Sequence, residues 1–183
     1  MRDLSMHVLD IAQNSIKAGA GVVTILLHME KKEQLTLTVA DDGCGMSLEF
    51  LAKVTDPFTT TRTTRKIGLG IPMLRQSTEL CGGSFAIQSE PGKGTTIMAV
   101  FKLMHIDCLP MGEMCDTLFS LVFLNPETPD FVFEAACEKE KASFDTRVVR
   151  EAVGGLSLNE PDISQWIKAS IDEEFKPILE GSK

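Results

Sequence analysis

The alternation of apolar and polar residues predicts a chain of short helices and strands. Residues 3–18 carry apolar residues at helical spacing behind Asp3, which can cap a helix start. Residues 22–30 and 35–40 are rich in aliphatic and β-branched residues and flank a Lys-Lys-Glu-Gln turn, which predicts a hairpin. The same criteria predict helices over residues 47–53 and 71–81, and strands over residues 84–89 and 95–101.

After residue 105 the apolar and polar pattern predicts further helices and strands, but this segment contains no motif that indicates a catalytic or binding function. Residues 111–124 predict an amphipathic helix, and residues 131–137 and 142–145 predict a second hairpin. A last helix is expected over residues 161–179. Its predicted apolar stripe consists of Trp166, Ile167, Ile171, Phe175 and Ile178.

The charge distribution divides the chain at the same place. Residues 1–105 hold 11 Lys and Arg against 10 Asp and Glu, whereas residues 106–183 hold 7 against 16, so most of the net charge of −8 lies in the second part. An acidic surface of this kind disfavours nucleic acid as a partner. We therefore expect two units, a domain over residues 1–105 and an acidic α+β segment over residues 106–183.

Composition narrows the class of protein further. The sequence contains no apolar run of transmembrane length and no apolar leader, since charge begins at Arg2 and Asp3, so we expect a cytoplasmic protein without a membrane partner. The five cysteines are odd in number and form no C-x-x-C pair, which disfavours a disulfide framework or a zinc site.

Residues 56–74, DPFTTTRTTRKIGLGIPML, combine five threonines and three basic residues with a Gly-Leu-Gly step into a predicted helix. Glycines before a helix allow close backbone approach to a ligand, and the helix start offers unpaired N–H groups that suit phosphate. The stretch is therefore either a mobile lid over a polyphosphate or a solvated threonine-rich loop.

Two other stretches carry candidate chemistry. Asp10 and Asn14 lie four residues apart on one face of the first predicted helix, which is either a ligand-binding face or a solvated polar stripe. The second predicted strand runs into residues 41–46, DDGCGM. That segment is either a tight turn or a loop that lies against a flat ligand while a carboxylate accepts from an amino group.

Taken in order, these stretches resemble the ATP-binding domain of the GHKL superfamily, which includes sensor histidine kinases, gyrase, heat-shock chaperone ATPases and the mismatch-repair protein MutL. The resemblance covers about the first 105 residues. It lies in DIAQNSIKAGA (10–20), VADDGCGM (39–46), DPFTTTRTTRKIGLGIPML (56–74) and GGSFAIQSEPGKGTTIMAVF (82–101). The last two stretches are most similar to the histidine-kinase branch.

The resemblance implies roles for individual residues. Asn14 corresponds to the asparagine that holds Mg²⁺, and Asp41 corresponds to the carboxylate that accepts from the adenine amino group. Lys17 lies where kinases often carry a lysine close to the phosphates. The other implied ATP-binding residues belong to the base-lining loop, the lid and the phosphate loop: Gly43, Gly45, Met46, Thr59, Thr60, Thr61, Arg62, Gly68, Leu69, Gly70 and Thr95.

Asp10 departs from the kinase pattern. Autophosphorylating kinases usually carry asparagine there, and hydrolysing members carry glutamate as the general base. Aspartate is a base with a shorter reach, so both hydrolysis and a structural role remain open. The expected hairpin with a phosphoacceptor histidine does not fit before residue 3. Of the histidines His7, His28 and His105, His105 at the predicted boundary is either a structural histidine or a phosphoacceptor, and we expect the acceptor to lie on a partner protein.

The resemblance implies an α/β sandwich, with a mixed sheet covered on one face by helices, and we expect a small C-terminal α+β appendage beside it. It also implies an enzyme that binds ATP and Mg²⁺ and either transfers the γ-phosphate to a partner protein or hydrolyses ATP. The alternative is a non-catalytic conformational switch driven by ATP. We expect the protein partner to dock on residues 106–183, and a homodimer remains open.

Overall fold

The computed structural model describes residues 1–55 and 70–179. The described helices are α1 (Leu4–Lys17), α2 (Leu48–Thr55), α3 (Gly70–Leu80), α4 (Met114–Leu124), α5 (Thr146–Ala152) and α6 (Pro161–Leu179). The strands are β1 (Val22–Glu30), β2 (Gln34–Asp41), β3 (Ser84–Glu90), β4 (Gly94–Lys102), β5 (Asp130–Ala136) and β6 (Lys141–Asp145). Each predicted helix and strand in these ranges is present within a few residues of its expected bounds.

All six described strands form one mixed sheet in the order β3-β4-β2-β1-β5-β6. Neighbouring strands are antiparallel except β1 and β5, which are parallel. Alternate residues of β2 are buried, so Leu35, Leu37 and Val39 face the helices, whereas Thr36 and Thr38 on the other face stay half-exposed. This arrangement confirms the predicted sandwich with helices on one face of a mixed sheet.

The segment after residue 105 is built into the same sheet. Strand β5 extends the sheet beside β1, with Val23 opposite Phe131 and Ile25 opposite Phe133. Phe131 and Phe133 are fully buried in a hydrophobic core that contains residues from both parts of the chain. The division at residue 105 into two units stays a prediction, but its two parts share one sheet and one core.

The start of helix α4 differs from the predicted start at residue 111. The helix begins at Met114, because the preceding residues serve helix α1 instead. The carbonyl oxygens of Pro110 and Met111 accept hydrogen bonds from the backbone N–H groups of Leu4 (2.9 Å) and Ser5 (3.0 Å). The first N–H groups of a helix lack partners within the helix, so the linker completes the start of α1.

The predicted apolar stripe of α6 is correct for four of its five members. Ile167, Ile171, Phe175 and Ile178 are buried, whereas Trp166 is 56% exposed, so its assignment to the stripe was wrong. Trp166 directly precedes Ile167 and therefore lies about 100° around the helix from it. None of the described helices is both long and apolar enough to cross a membrane.

Candidate functional site

Helix α1 brings two of the predicted residues to one cavity. Asp3 caps its start by accepting from the backbone N–H of Met6 (2.9 Å), and its apolar face packs into the core. Asn14 and Lys17, on the opposite side, line a cavity of 280 Å³. That volume is slightly below the range for small-molecule sites, about 300–1,000 Å³.

The end of strand β2 supplies the acidic group of the cavity. The Oδ2 atom of Asp41 accepts a 2.6 Å hydrogen bond from Ser15, and its Oδ1 atom accepts from the backbone N–H of Gly43 at 3.0 Å. The sheet register places Asp41 directly opposite Thr95 on β4. Both residues line the cavity, so two oxygen-bearing side chains lie together on one wall of it.

Asp42, the neighbouring carboxylate, has a different environment. Its Oδ1 atom accepts from the backbone N–H groups of Gly21 (2.7 Å) and Val22 (2.8 Å) at the start of β1. Of the two adjacent acids, Asp41 therefore faces the cavity and Asp42 holds the start of a strand in place.

The side chain of Ser89 connects the segments that form this wall through hydrogen bonds. Its hydroxyl accepts from the backbone N–H of Met46 (2.8 Å), donates to the carbonyl of Gly94 (3.0 Å) and lies 2.8 Å from the hydroxyl of Thr95. Met46 and Thr95 both line the cavity. One serine thus fixes the backbone of the loop after β2 and a side chain at the start of β4.

Two glycines allow the segment over residues 41–46 to pack against the turn between β3 and β4. Gly45 has a φ of +63°, and a Cβ there would lie 2.0 Å from the carbonyl oxygen of Glu90. Gly94 has a φ of +99°, and a Cβ there would lie 1.9 Å from the carbonyl oxygen of Asp41. Since both the backbone conformation and the space exclude a side chain, these positions require glycine.

Asp10 lies against the start of helix α3. A Cβ built on Gly70 would lie 1.6 Å from the Oδ2 atom of Asp10, so the carboxylate occupies the space that a side chain at position 70 would need. This oxygen is buried and has no hydrogen-bond partner among the described residues. A carboxylate is favoured near the positive end of a helix dipole.

The rest of the cavity wall is mostly apolar, and its residues come mainly from helices α1, α2 and α3 and from strand β4. It includes Ser15 and the exposed thiol of Cys44, neither of which was predicted as a site residue. The apolar members were also not predicted as site residues: Ile11, Ala18, Phe50, Val54, Ile71 and Ile97. For the buried members Ile11, Val54, Ile71 and Ile97, the periodicity indicates only burial, which is why the sequence did not distinguish them from other core positions.

His7 is buried between α1 and α3. Its Nε2 atom lies 3.1 Å from the hydroxyl of Ser77, which itself donates to the carbonyl of Met73 at 2.9 Å. Which group donates in the contact between His7 and Ser77 depends on the tautomer of the imidazole. Burial, aided by the N-terminal amino group, lowers the pKa of His7 from 6.5 to about 4, against an opposing effect of Asp3.

The structure thus brings together six of the predicted site residues around one cavity: Asn14, Lys17, Asp41, Gly45, Met46 and Thr95. Asp10, Gly43 and Gly70 are described but are not part of the cavity lining. The other predicted residues lie outside the described ranges: Thr59, Thr60, Thr61, Arg62, Gly68 and Leu69. The ligand roles of all these residues stay predictions.

Residues 2–105 match the family described as histidine kinase-, DNA gyrase B-, and HSP90-like ATPase. Two similar relatives are bacterial kinases. The signal transduction histidine-protein kinase AtoS of Escherichia coli is 28% identical over 102 residues, which are 55% of this chain and 17% of that protein. Sporulation kinase C of Bacillus subtilis is 33% identical over 102 residues, covering 55% of this chain and 23% of that protein.

The chain spans only about a fifth of the length of these curated relatives. Among solved structures, the N-terminal domain of a DNA repair protein superposes with a TM-score of 0.52 at 15% identity, covering 93% of this chain and 57% of that one. The likeness in fold therefore extends beyond residue 105. By its match over residues 2–105, the chain belongs to the family of histidine kinase-, DNA gyrase B- and HSP90-like ATPases.

Proposed function

We propose that the chain binds Mg-ATP in this cavity and transfers the γ-phosphate to a partner protein. The observation that carries the proposal is that one cavity joins Asp41 and Thr95 at one wall with Asn14 and Lys17 on helix α1. The first pair offers acceptors for the amino group of adenine, and the second offers an amide and a cation for phosphate. The family membership of residues 2–105 supports ATP as the ligand.

Mg²⁺ fits this donor set as a companion of the phosphates. Mg²⁺ takes one or two protein oxygens together with phosphate oxygens and waters, and it seldom uses an all-protein cage. Asn14 lines the cavity and can supply such an oxygen from its amide, and no cluster of three metal-binding side chains is found among residues 1–55 and 70–179. When bound, the ion neutralises charge on the transferred phosphoryl group.

The positive charge for phosphate comes from Lys17 and, as we propose, from the basic residues of the 56–74 stretch. Lys17 is exposed at the cavity wall, where its ammonium can reach a charged ligand without prior burial. Thr59, Thr60, Thr61, Arg62, Gly68 and Leu69 complete the proposed ATP site, as the resemblance implies.

Transfer and hydrolysis differ in the part that Asp10 plays. Proton abstraction from water requires a base within hydrogen-bond reach, about 2.6–3.2 Å. The buried Oδ2 atom of Asp10, which lies against the start of α3 and has no hydrogen-bond partner among the described residues, is a candidate for such a base. The kinase relatives favour transfer, with an acceptor on a partner protein that docks on residues 106–183 or on a second copy of the chain.

The test follows the γ-phosphate of labelled Mg-ATP added to the purified protein, to Asn14→Ala and to Asp10→Asn. We expect the wild type to bind the labelled ATP. When a bacterial lysate fraction supplies acceptor proteins, we expect it to transfer the labelled phosphate to protein. Asn14→Ala should abolish that transfer. Unchanged labelling by Asn14→Ala would refute the proposed site, and free phosphate that disappears in Asp10→Asn would make the chain an ATPase.

A second candidate function is a switch in which ATP changes a docking surface without turnover. The observation that favours it is the capping of α1 by the carbonyls of Pro110 and Met111, which ties the nucleotide-facing helix to the segment after residue 105. A ligand shifts such an equilibrium only if it binds the two states differently. Amide hydrogen exchange at Leu4 and Ser5 should then change with Mg-ATP, and identical exchange would exclude this coupling.

A further inference from the structure

The hydrogen-bond pattern around Ser89 determines which way the Thr95 hydroxyl points. Ser89 has one hydrogen and two acceptor lone pairs. The assignment that makes every contact of Ser89 a hydrogen bond gives the Ser89 hydrogen to the carbonyl oxygen of Gly94, 3.0 Å away, which can only accept. One lone pair accepts from the backbone N–H of Met46, and the second is left for the hydroxyl of Thr95 at 2.8 Å. Thr95 is therefore the donor in the contact between the two hydroxyls.

Because its hydrogen is donated to Ser89, the Thr95 hydroxyl can only accept a hydrogen bond from a ligand in the cavity. Asp41, its direct neighbour across the sheet, is also an acceptor, because its carboxylate takes hydrogens from Ser15 and from Gly43. Both oxygen-bearing groups of this wall thus lack a hydrogen to offer. A ligand that presents an amino group can donate there, whereas one that presents a carbonyl oxygen meets two acceptors.

We infer that Ser89 is a positioning residue that sets the base specificity of the site by holding the Thr95 hydroxyl as an acceptor. Ser89 is not in the cavity lining and acts through Thr95 and Met46. The inference rests on the proposed nucleotide site. It deepens that proposal by naming the residue that keeps the Thr95 hydroxyl an acceptor for the amino group of the base.

Removal of the Ser89 hydroxyl should therefore change selectivity as well as affinity. In Ser89→Ala, the Thr95 hydroxyl loses its acceptor and becomes free to rotate and donate into the cavity. A carbonyl oxygen in the ligand then gains a donor, and an amino group loses an acceptor. We expect the ratio of the ITP and ATP dissociation constants to fall by about tenfold. ITP carries an oxo group at C6 and a hydrogen on N1, where ATP carries an amino group and an N1 without hydrogen.

The experiment measures ATP and ITP binding by calorimetry for the wild type, Ser89→Ala and the matched control Ser84→Ala on the same strand. The control should keep the wild-type ratio, because Ser84 lies at the exposed far end of β3. In a Thr95→Val background, Ser89→Ala should leave the ratio unchanged. Equal weakening of ATP and ITP by Ser89→Ala would show a merely structural serine and overturn the inference.

A measurement on the wild type alone covers the case in which Ser89→Ala does not fold. The unmodified protein should bind ATP at least tenfold more tightly than ITP, and equal binding would overturn the inference. If the wild type binds neither nucleotide, the proposed function itself fails, which is a different result from binding without selectivity.

Discussion

The Ser15 hydroxyl donates a 2.6 Å hydrogen bond to the Oδ2 atom of Asp41, and so links the buried side of helix α1 to the end of strand β2. Ser15 is 3% exposed and also lies 3.4 Å from the carbonyl of Ile11, one turn earlier in the helix. The bond holds the Asp41 carboxylate in one orientation in the cavity wall. A ligand that donates to Asp41 then meets an acceptor whose position is already fixed.

Ser15→Ala should consequently weaken ATP binding about tenfold while the fold is kept. Hydrogen bonds to charged groups contribute about 1.5–3 kcal/mol, and 1.4 kcal/mol corresponds to a factor of ten in affinity. Calorimetric titration with Mg-ATP measures the effect. Ser5→Ala is the control, since Ser5 is a buried serine of the same helix outside the cavity, and a comparable loss there would argue against a specific role of Ser15.

Gly70→Ala should destabilise the protein through a clash with Asp10. The new Cβ would lie 1.6 Å from the Asp10 Oδ2 atom, and overpacking of this kind costs about 1–3 kcal/mol. In an Asp10→Ala background the clash is absent, so Gly70→Ala should be neutral there or slightly stabilising through helix propensity. The free energies of unfolding in urea for the four proteins test this. An equal effect of Gly70→Ala in both backgrounds would contradict the contact.

The helices and strands could be predicted from sequence because each depends on local periodicity and local caps. Asp3 as a cap and the apolar positions of α1 and β1 are visible within a few residues of chain. The parallel pairing of β1 with β5 is not, since about 100 residues separate the two strands. The same limit explains the start of α4, where residues with helical potential are used to cap α1 instead.

The lining of the cavity was predictable where a residue belongs to a sequence motif, and not where a residue acts through its hydrogen-bond partners. Asn14, Asp41 and Thr95 come from motifs, and the structure places all three around one cavity. Ser15 and Ser89 have no such signal, because a serine becomes informative only when its hydrogen-bond partners on other strands are known. Periodicity misled at Trp166, which is adjacent in sequence to the buried stripe but is exposed.

Cys44 offers a chemical probe of nucleotide binding. Its thiol is exposed and lines the cavity, so a bound ligand should shield it. We expect saturating Mg-ATP to slow alkylation of Cys44 by iodoacetamide at least tenfold, as measured by mass spectrometry of the labelled peptides. Cys137, half-buried and outside this cavity, is the internal reference and should react at an unchanged rate. Equal Cys44 rates with and without Mg-ATP would place the ligand elsewhere.

The buried His7 should make the protein sensitive to acid. Its pKa is about 4 in the folded state and 6.5 for an ordinary histidine, so between these values the unfolded state binds more protons. Stability therefore falls as pH drops from about 6.5 towards 4, by up to about 1.4 kcal/mol per pH unit for one proton.

His7→Gln removes this titration while an amide can still reach Ser77. Its free energy of unfolding should depend less on pH than that of the wild type between pH 6.5 and 4, and the two should run parallel above pH 7. Urea denaturation across this range measures the difference. Identical acid dependence in both proteins would mean that other groups control acid unfolding.

The shared sheet predicts that the parts before and after residue 105 unfold together. Phe133 is fully buried on β5 next to β1, so Phe133→Ala should destabilise the chain by about 3–5 kcal/mol. Trp166, the single tryptophan, reports on the C-terminal part by fluorescence, and the reactivity of the buried Cys81 reports on the first part. Both probes should show one coincident urea transition, shifted equally by Phe133→Ala.

Phe123→Ala, at a side chain that is 40% exposed, is the control and should shift this transition much less. Two separate transitions, with only the Trp166 transition moved by Phe133→Ala, would instead support two independent units divided at residue 105.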